Sequence, residues 1–158
     1  MARAGERGRK SASQQATGNR HAEVLKLSRR MTVLFRERLD ESLRPVGITT
    51  AQLQVLAALA AEPRAARSGA QISRHCQVTP QTTHALLATA EKHGWVKRAP
   101  HPENAHTLLA SLTPQGRRIF SRARTIARRL QSRMLRTLSS AEIAQLEATL
   151  NQLIANLD

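Results

Sequence analysis

Several kinds of residue are scarce in this sequence of 158 residues, and each shortage excludes a class of protein. A single cysteine, Cys76, excludes a disulfide scaffold and a zinc site built on paired cysteines. No apolar run approaches the roughly 18 residues that span a bilayer, and no apolar stretch follows the basic N-terminus as in a signal peptide. We therefore expect a cytoplasmic protein.

Residue patterns that carry out catalysis are also missing. The chain has no tyrosine, two phenylalanines and one tryptophan. It has neither a glycine-rich phosphate loop nor paired carboxylates in the pattern of an acid-base site. Its six histidines never combine i, i+4 spacing on one helix face with a nearby carboxylate, as a metal site on a helix would require. We expect no enzyme activity, no metal site and no cofactor.

Positive charge, in contrast, is abundant. Lys and Arg number 25 against 11 Asp and Glu, for a net charge of +14. Such an excess indicates a polyanionic partner, nucleic acid first and an anionic membrane surface second. The charge is uneven: residues 1–20 carry +4, residues 21–112 carry +5, residues 113–136 carry +8 and residues 137–158 carry −3. Two strongly basic segments, residues 1–20 and 113–136, therefore flank a longer middle segment with a lower density of positive charge.

The first basic block, residues 1–20, holds three of the seven glycines and almost nothing to bury. This composition predicts a disordered basic arm. Two interpretations stay open for it, an ordinary solvated tail and an arm that contacts DNA.

Proline and glycine divide the rest of the chain into about six segments. Apolar residues at three-and-four spacing predict a helix over residues 21–44, which the next proline ends. A second helix begins after Thr49 or Thr50 as N-cap and ends before Pro63. Each of these segments has the period of an amphipathic helix.

The central segments predict a helix-turn-helix. Ser68 can cap a short helix that ends near Cys76. Thr79 is a strong N-cap, and Pro80 follows it at the first position of a helix that runs to Gly94. Two helices joined by so short a turn match the motif.

From Trp95 onwards the spacing of apolar residues no longer follows the period of a helix. The runs WVKRA and HTLLASL predict two short strands, separated by a loop, PHPEN. Thr113 opens a long helix, and Ser139 or Ser140 caps a last helix with a strong apolar seam. The predicted order is four helices, a β-hairpin and two more helices.

The helix that begins at Pro80 carries side chains that can read DNA. Gln can pair bidentately with adenine, Thr can bond to a base or phosphate, and His can donate to guanine. The alternative is that these are small polar residues on a solvated face. Helical spacing turns these residues outward: Gln81, Thr82, His84, Ala85 and Thr89. It turns these inward: Thr83, Leu86, Leu87 and Ala90.

Three runs resemble the MarR family of bacterial transcription regulators: GITTAQLQVLAAL, ISRHCQVTPQTTHALLATAEKHGWVKR and LLASLTPQGRRIF. They follow the family's second helix, its helix-turn-helix and its wing-to-helix junction, and the resemblance covers about residues 22–157. It implies a mainly α fold, a winged helix-turn-helix in the order α-α-α-α-β-β-α-α with a helical dimerisation domain. It also implies a homodimer in which the first, fifth and sixth helices of two copies interlock.

The resemblance also implies a domain organisation and a function. After the arm come an N-terminal dimerisation helix (21–48), a DNA-binding lobe (49–113) and C-terminal dimerisation helices (114–158). The expected function is sequence-specific binding of double-stranded DNA at a pseudo-palindromic operator, by a repressor that a small organic effector, often an aromatic acid, releases. The alternative is an architectural or non-specific DNA-binding protein without an effector, which the charge alone would support. No membrane partner is expected.

Positions that would contact DNA carry over from the family one by one. Thr79 would cap the recognition helix and touch phosphate, Arg74 would approach the backbone, and Arg98 would lie at the base of the wing. The implied DNA-contacting residues are Ser68, Arg74, Thr79, Gln81, Thr82, His84, Thr89, Arg98, His101, Asn104 and His106.

The wing departs from the family pattern. Many members carry Asp-x-Arg there, with the arginine in the minor groove, whereas this chain has Asn104, Ala105 and His106. Minor-groove contact would then pass to His106 or His101, which bind phosphate best when protonated. General affinity would have to come from elsewhere, with the basic arm as the first candidate.

Other residues invite competing interpretations. Candidate effector-lining residues are His21, Arg29, Met31, Phe35 and Leu56. Cys76 could be a redox switch, but its apolar position four residues after Ile72 favours a buried, inert thiol. The fifth helix carries eight arginines and no acid, for which pairing with acids across the dimer is favoured over DNA contact.

Overall fold

The computed structural model describes the backbone of residues 2–62 and 66–157, and the side chains of these except 2–17 and 105. Within these residues, six α-helices and three strands confirm the mainly α class and the predicted order of helices and hairpin. Their bounds are α1 Ala2–Leu43, α2 Thr50–Ala60, β1 Arg67–Ser68, α3 Gly69–Cys76, α4 Pro80–Lys92, β2 Val96–His101, β3 Asn104–Leu112, α5 Pro114–Leu135 and α6 Ser140–Ala155. The chain forms two compact units, residues 1–38 and residues 39–158.

Five helices begin at the kind of N-cap that the sequence predicts. In each, a Ser or Thr side chain accepts a hydrogen bond from the backbone N–H three residues on. Of the alternatives that the sequence leaves open, Thr49 rather than Thr50 caps α2, and Ser139 rather than Ser140 caps α6. The five caps are Thr49, Ser68, Thr79, Thr113 and Ser139. These local bonds determine where the helices start.

Helix α1 differs from prediction at its start. The sequence predicts an arm over residues 1–20, but the backbone of residues 2–20 is helical and continuous with the predicted helix. The physical reason lies in composition, because this stretch is rich in Ala, Arg and Gln and has no proline. At the other end α1 stops at Leu43, where a 3-10 turn containing Pro45 follows. Gly47, at φ +71°, then reverses the chain in a conformation that L side chains rarely adopt.

The core of residues 39–158 is built around α2. This helix packs against α3, α4, α5 and β3. Leu56 and Ile72 have no exposed surface, and burial of each contributes about 1.5–3 kcal/mol. The largest fully buried side chains are Leu43, Leu56, Ile72, Val55 and Thr83. Both helices of the predicted helix-turn-helix are therefore anchored in one core.

Three antiparallel strands form the sheet, in the order β1-β3-β2. The two-residue strand β1 was not predicted, since it is a strand only because Arg67 pairs with Ala110 of β3. The predicted PHPEN loop is too long, because Pro100, His101 and Asn104 belong to the strands. A proline is tolerated here since β2 is an edge strand, where one side needs no ladder bond.

Apart from Leu108 on β3, the exposed large apolar side chains of the described residues lie on two parts of the chain. On α1 they are Val24, Leu25, Leu27, Met31, Val33 and Leu34. At the C-terminal end they are Met134, Leu146, Leu150, Leu153, Ile154 and Leu157. None of the described helices combines the length and apolarity that crossing a bilayer requires.

Candidate nucleic-acid interface

Helix α4 presents a polar face to solvent and an apolar face to the core. Thr83, Leu87 and Ala90 are buried, as predicted, whereas Leu86 is only half-buried. The predicted outward residues Gln81, Thr82, His84 and Ala85 are exposed. Thr89 is half-buried, and its hydroxyl donates to the Ala85 carbonyl at 3.0 Å. The base-reading candidates that are exposed therefore concentrate in the first turns of α4.

The start of α4 is held by two threonines. Thr79 Oγ1 accepts a hydrogen bond from the Thr82 N–H at 3.1 Å, and the two hydroxyl oxygens lie 2.8 Å apart. Both side chains are exposed. Pro80, at the first helical position, has no N–H to satisfy. This arrangement orients the exposed N-terminus of α4, where positive partial charge favours a phosphate.

The turn between α3 and α4 is fixed by residues that sequence reasoning missed. The Ser73 hydroxyl donates to the Val78 carbonyl at 2.6 Å, and Ser73 is buried. Gln77 takes up the left-handed region at φ +53°, where it caps α3. A sequence signal for these roles was weak, because neither residue is a glycine or proline. They set the angle at which α4 leaves α3.

An ion pair links α4 to the wing, which is the hairpin formed by β2 and β3. Arg98 on β2 donates to the Glu91 carboxylate from Nε, at 2.7 Å, and from its terminal nitrogen. The hydrogen bonds from Arg98 lower the pKa of the Glu91 carboxyl, against a smaller opposing effect of burial. The Arg98 side chain is 20% exposed. In this conformation Arg98 positions the wing, and its predicted contact with DNA remains a prediction.

Four of the predicted DNA-contacting residues meet at one cleft of about 390 Å³ between α3 and the wing. Ser68, the N-cap of α3, and Arg74 on α3 line one side, and His101 and Asn104 of the wing line the other. Arg74 is exposed and contributes a cationic guanidinium to this wall. The cleft is thus a polar surface with one arginine close to the exposed part of the wing.

The tip of the wing is shaped by its own side chains. His101 Nδ1 accepts a hydrogen bond from the Glu103 N–H at 3.1 Å, so that nitrogen carries no proton in this conformation. Asn104 Oδ1 accepts from the His106 N–H at 3.2 Å. His106 is exposed. His101 could therefore donate to phosphate only through Nε2, whereas His106 is accessible.

The junction between wing and α5 is a network that the sequence did not reveal. Thr113 Oγ1 donates to the Gly94 carbonyl at 2.6 Å, and its N–H donates to the Trp95 carbonyl at 3.0 Å. The rings of His93 and Trp95 stack with centroids 4.6 Å apart. Gly116 lies directly against the Trp95 backbone. These contacts orient α5 relative to the wing.

Cys76 is half-buried, where the sequence predicted a buried thiol. Burial raises the pKa of the thiol, and the nearby Arg67 lowers it by less. Because the thiolate is the reactive form, this environment favours an unreactive cysteine. In the described part of the chain no three His, Cys, Asp or Glu residues come together in a group that could hold a metal ion.

The effector candidates lie on two helices. His21, Arg29 and Met31 are exposed on α1, and Phe35 is half-buried there. Leu56, on α2, has no exposed surface, so a ligand could touch it only after neighbouring side chains move. Their role as an effector site stays a prediction.

A helix-turn-helix with an exposed polar second helix, followed by a hairpin, defines a winged-helix DNA-binding protein. The MarR family model matches residues 46–105, which include the helix-turn-helix and most of the wing. The HTH-type transcriptional repressor Rv2887 of Mycobacterium tuberculosis is 29% identical over 124 residues, covering 78% of this chain and 88% of that protein. The sequence resemblance to the MarR family agrees with these matches, and the chain is a DNA-binding transcriptional regulator.

Solved structures agree with this assignment. A mutant MarR from E. coli complexed with operator DNA is 25% identical, with a TM-score of 0.74, over 81% of this chain and 91% of that one. CouR from Rhodococcus jostii RHA1, bound to p-coumaroyl-CoA, is 19% identical with a TM-score of 0.71, over 80% of this chain and 88% of that one. The second likeness shows the fold alone.

Proposed function

We propose that the protein is a homodimeric repressor that reads a pseudo-palindromic operator through α4 and leaves it when a small organic effector binds. The observation that carries this proposal is the exposed polar face at the start of α4, on a helix whose opposite face is anchored in the core. Rigid anchoring holds the base-reading side chains at a defined position, as direct readout requires.

Gln81, Thr82 and His84 carry the sequence preference in this proposal. Gln81 can bond bidentately to adenine, His84 can donate to guanine acceptors, and Thr82 can contact a base or a thymine methyl. A good bidentate pair discriminates against the wrong base by about 1–3 kcal/mol. The neutral character of these side chains means that affinity and specificity come from different residues.

The cleft between α3 and the wing holds the DNA backbone in this proposal. Arg74 and Ser68 contact phosphate from one wall, and His101 and Asn104 from the other, while His106 extends towards the minor groove. Thr79, the N-cap of α4, contributes a further phosphate contact at the start of that helix. Such contacts set the register of α4 on the duplex without reading sequence themselves.

Dimerisation is supported by the exposed apolar residues of α1 and α6. Leu25 is 72% exposed, Leu27 52% and Ile154 57%, which is unusual for a monomer. Residues 21–48 and 114–158 supply the dimerisation helices, and residues 49–113 form the DNA-binding lobe. A two-fold dimer presents two copies of α4 about one helical turn of DNA apart, which demands a pseudo-palindromic site.

The effector in this proposal is a small organic acid, with Arg29 as its carboxylate partner and His21, Met31 and Phe35 of the same helix as its neighbours. A regulator of the same fold, CouR, is bound to p-coumaroyl-CoA in its structure, which supports an aromatic acid derivative as the ligand class. Ligand binding would change the separation of the two α4 helices. We assign the protein to the cytoplasm and give it no enzymatic role.

Selection from a random duplex library, followed by competition at near-physiological salt, tests the proposal. A specific regulator should prefer the selected duplex by about a thousandfold or more over random DNA. Gln81→Ala should lower that preference about 5- to 150-fold, while Gln54→Ala, at an exposed position on α2, should leave it unchanged. Loss of nearly all binding to the competitor would favour the architectural alternative instead.

A further inference from the structure

Helix α5 carries a density of positive charge that the DNA-reading surface does not use. It contains eight exposed arginines, counting the C-cap, and no acidic residue. They are Arg117, Arg118, Arg122, Arg124, Arg128, Arg129, Arg133 and Arg136. Of these, Arg117 is engaged locally, donating to the Leu112 carbonyl at 2.9 Å.

Five of the eight form a continuous row, which we call the arginine row: Arg118, Arg122, Arg129, Arg133 and Arg136. At 3.6 residues per turn they fall within an arc of about 60°, and at 1.5 Å per residue the row is about 27 Å long. The buried residues Ala123 and Ala127 lie on the opposite side of the helix. The core therefore fixes the orientation of the row towards the surface.

No ion pair among the described residues involves the arginine row. The pairs found there join Lys26 to Glu23, Arg67 to Glu62 and Arg98 to Glu91. Guanidinium groups at i, i+4 spacing without acids between them repel one another. The row thus has a charge that α5 itself does not neutralise.

Acids are outnumbered in this chain, 11 against 25 Lys and Arg, so a second copy adds more positive charge than negative. Of the nine acids with described side chains, Glu23, Glu62 and Glu91 pair with a Lys or Arg, and Glu41 is also engaged. Asp40 and Glu142 accept backbone N–H groups, which leaves their negative charges in place. Pairing with acids across a dimer, which the sequence alone favoured, remains the alternative to DNA contact, and the salt-slope experiment below distinguishes the two. Burying these arginines at an interface without acids beside them would cost several kcal/mol of desolvation free energy for each ion.

The dimensions of the row fit a nucleic acid backbone. DNA rises 3.4 Å of axis for each base pair, so a row of about 27 Å is as long as about eight base pairs of duplex. Guanidinium groups bind phosphate oxygens in bidentate pairs. We propose that the arginine row binds the sugar-phosphate backbone of double-stranded DNA outside the segment read by α4. The proposal deepens the proposed function, since the DNA can be the flank of the operator or a second duplex.

Salt dependence of binding to a random-sequence duplex tests the row directly. In the variant Arg122→Gln, Arg129→Gln, Arg133→Gln, the slope of log affinity against log salt should fall in magnitude by about 2.7, which is 0.9 for each lost phosphate contact. The matched control Lys26→Gln, Arg30→Gln, Arg36→Gln removes the same charge from exposed positions on α1. It should keep the wild-type slope. Equal slopes in all three proteins, or equal losses in both variants, would overturn the proposal.

A charge-preserving variant distinguishes loss of positive charge from loss of folding as the cause of a lower salt slope. Arg122→Lys, Arg129→Lys, Arg133→Lys should retain the wild-type slope, with an affinity nearer to wild type than that of the glutamine variant. Loss of the slope in this variant, with a normal circular dichroism spectrum, would contradict the proposal. If vesicles of phosphatidylglycerol and phosphatidylcholine bind through the row while the DNA slope stays unchanged, the partner is a membrane and the proposal is wrong.

Two further measurements distinguish whether the row binds the flank of the operator or a second duplex. Tighter binding of a selected operator when random flanks are added, lost in the glutamine variant, supports contact with flanking DNA. Capture of a second labelled duplex by operator-saturated protein, lost in the same variant, supports bridging. If neither is seen although the random-duplex slope depends on the row, the row lies within the operator footprint, which contradicts a surface outside it. Because the salt slope needs no operator, failure of the proposed function remains distinguishable.

Discussion

Gly116, in the first turn of α5, lies so close to Trp95 that a Cβ added to it would stand 1.9 Å from the Trp95 carbonyl oxygen. That oxygen also accepts the Thr113 N–H at 3.0 Å. The wing and α5 are therefore joined backbone to backbone, with no room for a side chain. The contact determines where α5 starts relative to the wing.

Gly116→Ala should destabilise the protein by about 2–3 kcal/mol, because overpacking against rigid backbone outweighs the better helix propensity of alanine. Urea denaturation measures the change. Gly69→Ala is the control, since nothing lies within 4 Å of its added Cβ. We expect that variant to be as stable as wild type or slightly more so. Equal stability of Gly116→Ala and wild type would show that the close contact is absent in solution.

Thr83→Val should stabilise the protein by about 1 kcal/mol. Thr83 is 1% exposed, and its hydroxyl has no hydrogen-bond partner within the described residues, so its removal relieves a desolvation penalty. Thr113→Val should have the opposite effect, losing about 1–2 kcal/mol, because that hydroxyl caps α5 and donates to Gly94. Thermal and urea unfolding of both variants checks the difference in sign. A less stable Thr83→Val would disprove the assignment of an unpaired hydroxyl.

Glu91→Gln should make stability less dependent on pH. Hydrogen bonds from Arg98 lower the pKa of Glu91 in the folded state, so the stabilisation is present above the pKa of the unfolded state and is lost as the pH falls through the folded value. The Glu91 side chain is 38% exposed, so screening limits the effect to about 0.5 kcal/mol. Denaturation at neutral pH and near pH 3 should show the variant weaker only at neutral pH. Glu103→Gln, in the exposed wing turn, is the control, and an equal loss there would remove the special role of the Arg98 pair.

Leu146→Asp with Leu150→Asp should shift the protein from dimer to monomer, because both leucines are exposed on α6 and a charge in an apolar interface is costly. Sedimentation velocity measures the change, and circular dichroism checks that the helices remain. Gln145→Asp with Gln152→Asp places the same charges at exposed polar positions of α6 and should leave the dimer intact. A double-leucine variant that sediments like wild type would place the dimer interface elsewhere.

Much of the fold could be predicted because its signals are local. Thr79 caps α4 through a bond to Thr82, three residues away, and the same spacing marks the start of α2 and α6. The outward position of Gln81 and His84 follows from helical period, and their exposure agrees with it. Candidate base-reading residues were thus available from residues that are close in the sequence.

Other features could not be predicted because their partners are distant in the chain or lack a pattern. Strand β1 exists only through the pairing of Arg67 with Ala110. Arg98 has the composition of a phosphate ligand, but the Glu91 carboxylate seven residues earlier engages it. The wing extends through Pro100 since the sheet places that residue on an edge strand.

By itself the sequence determined the order of the helices, their caps, the helix-turn-helix, the family resemblance and the scarcity of acids, since each follows from neighbouring residues or from composition. Only the tertiary structure decided which polar groups remain accessible: Arg98 is engaged by Glu91, His101 accepts a bond from the wing turn, and the arginine row stays exposed without an ion pair among the described residues. The reason is physical. Charge and hydrogen-bonding capacity belong to a residue type, whereas their availability to DNA depends on which groups the fold brings within bonding distance.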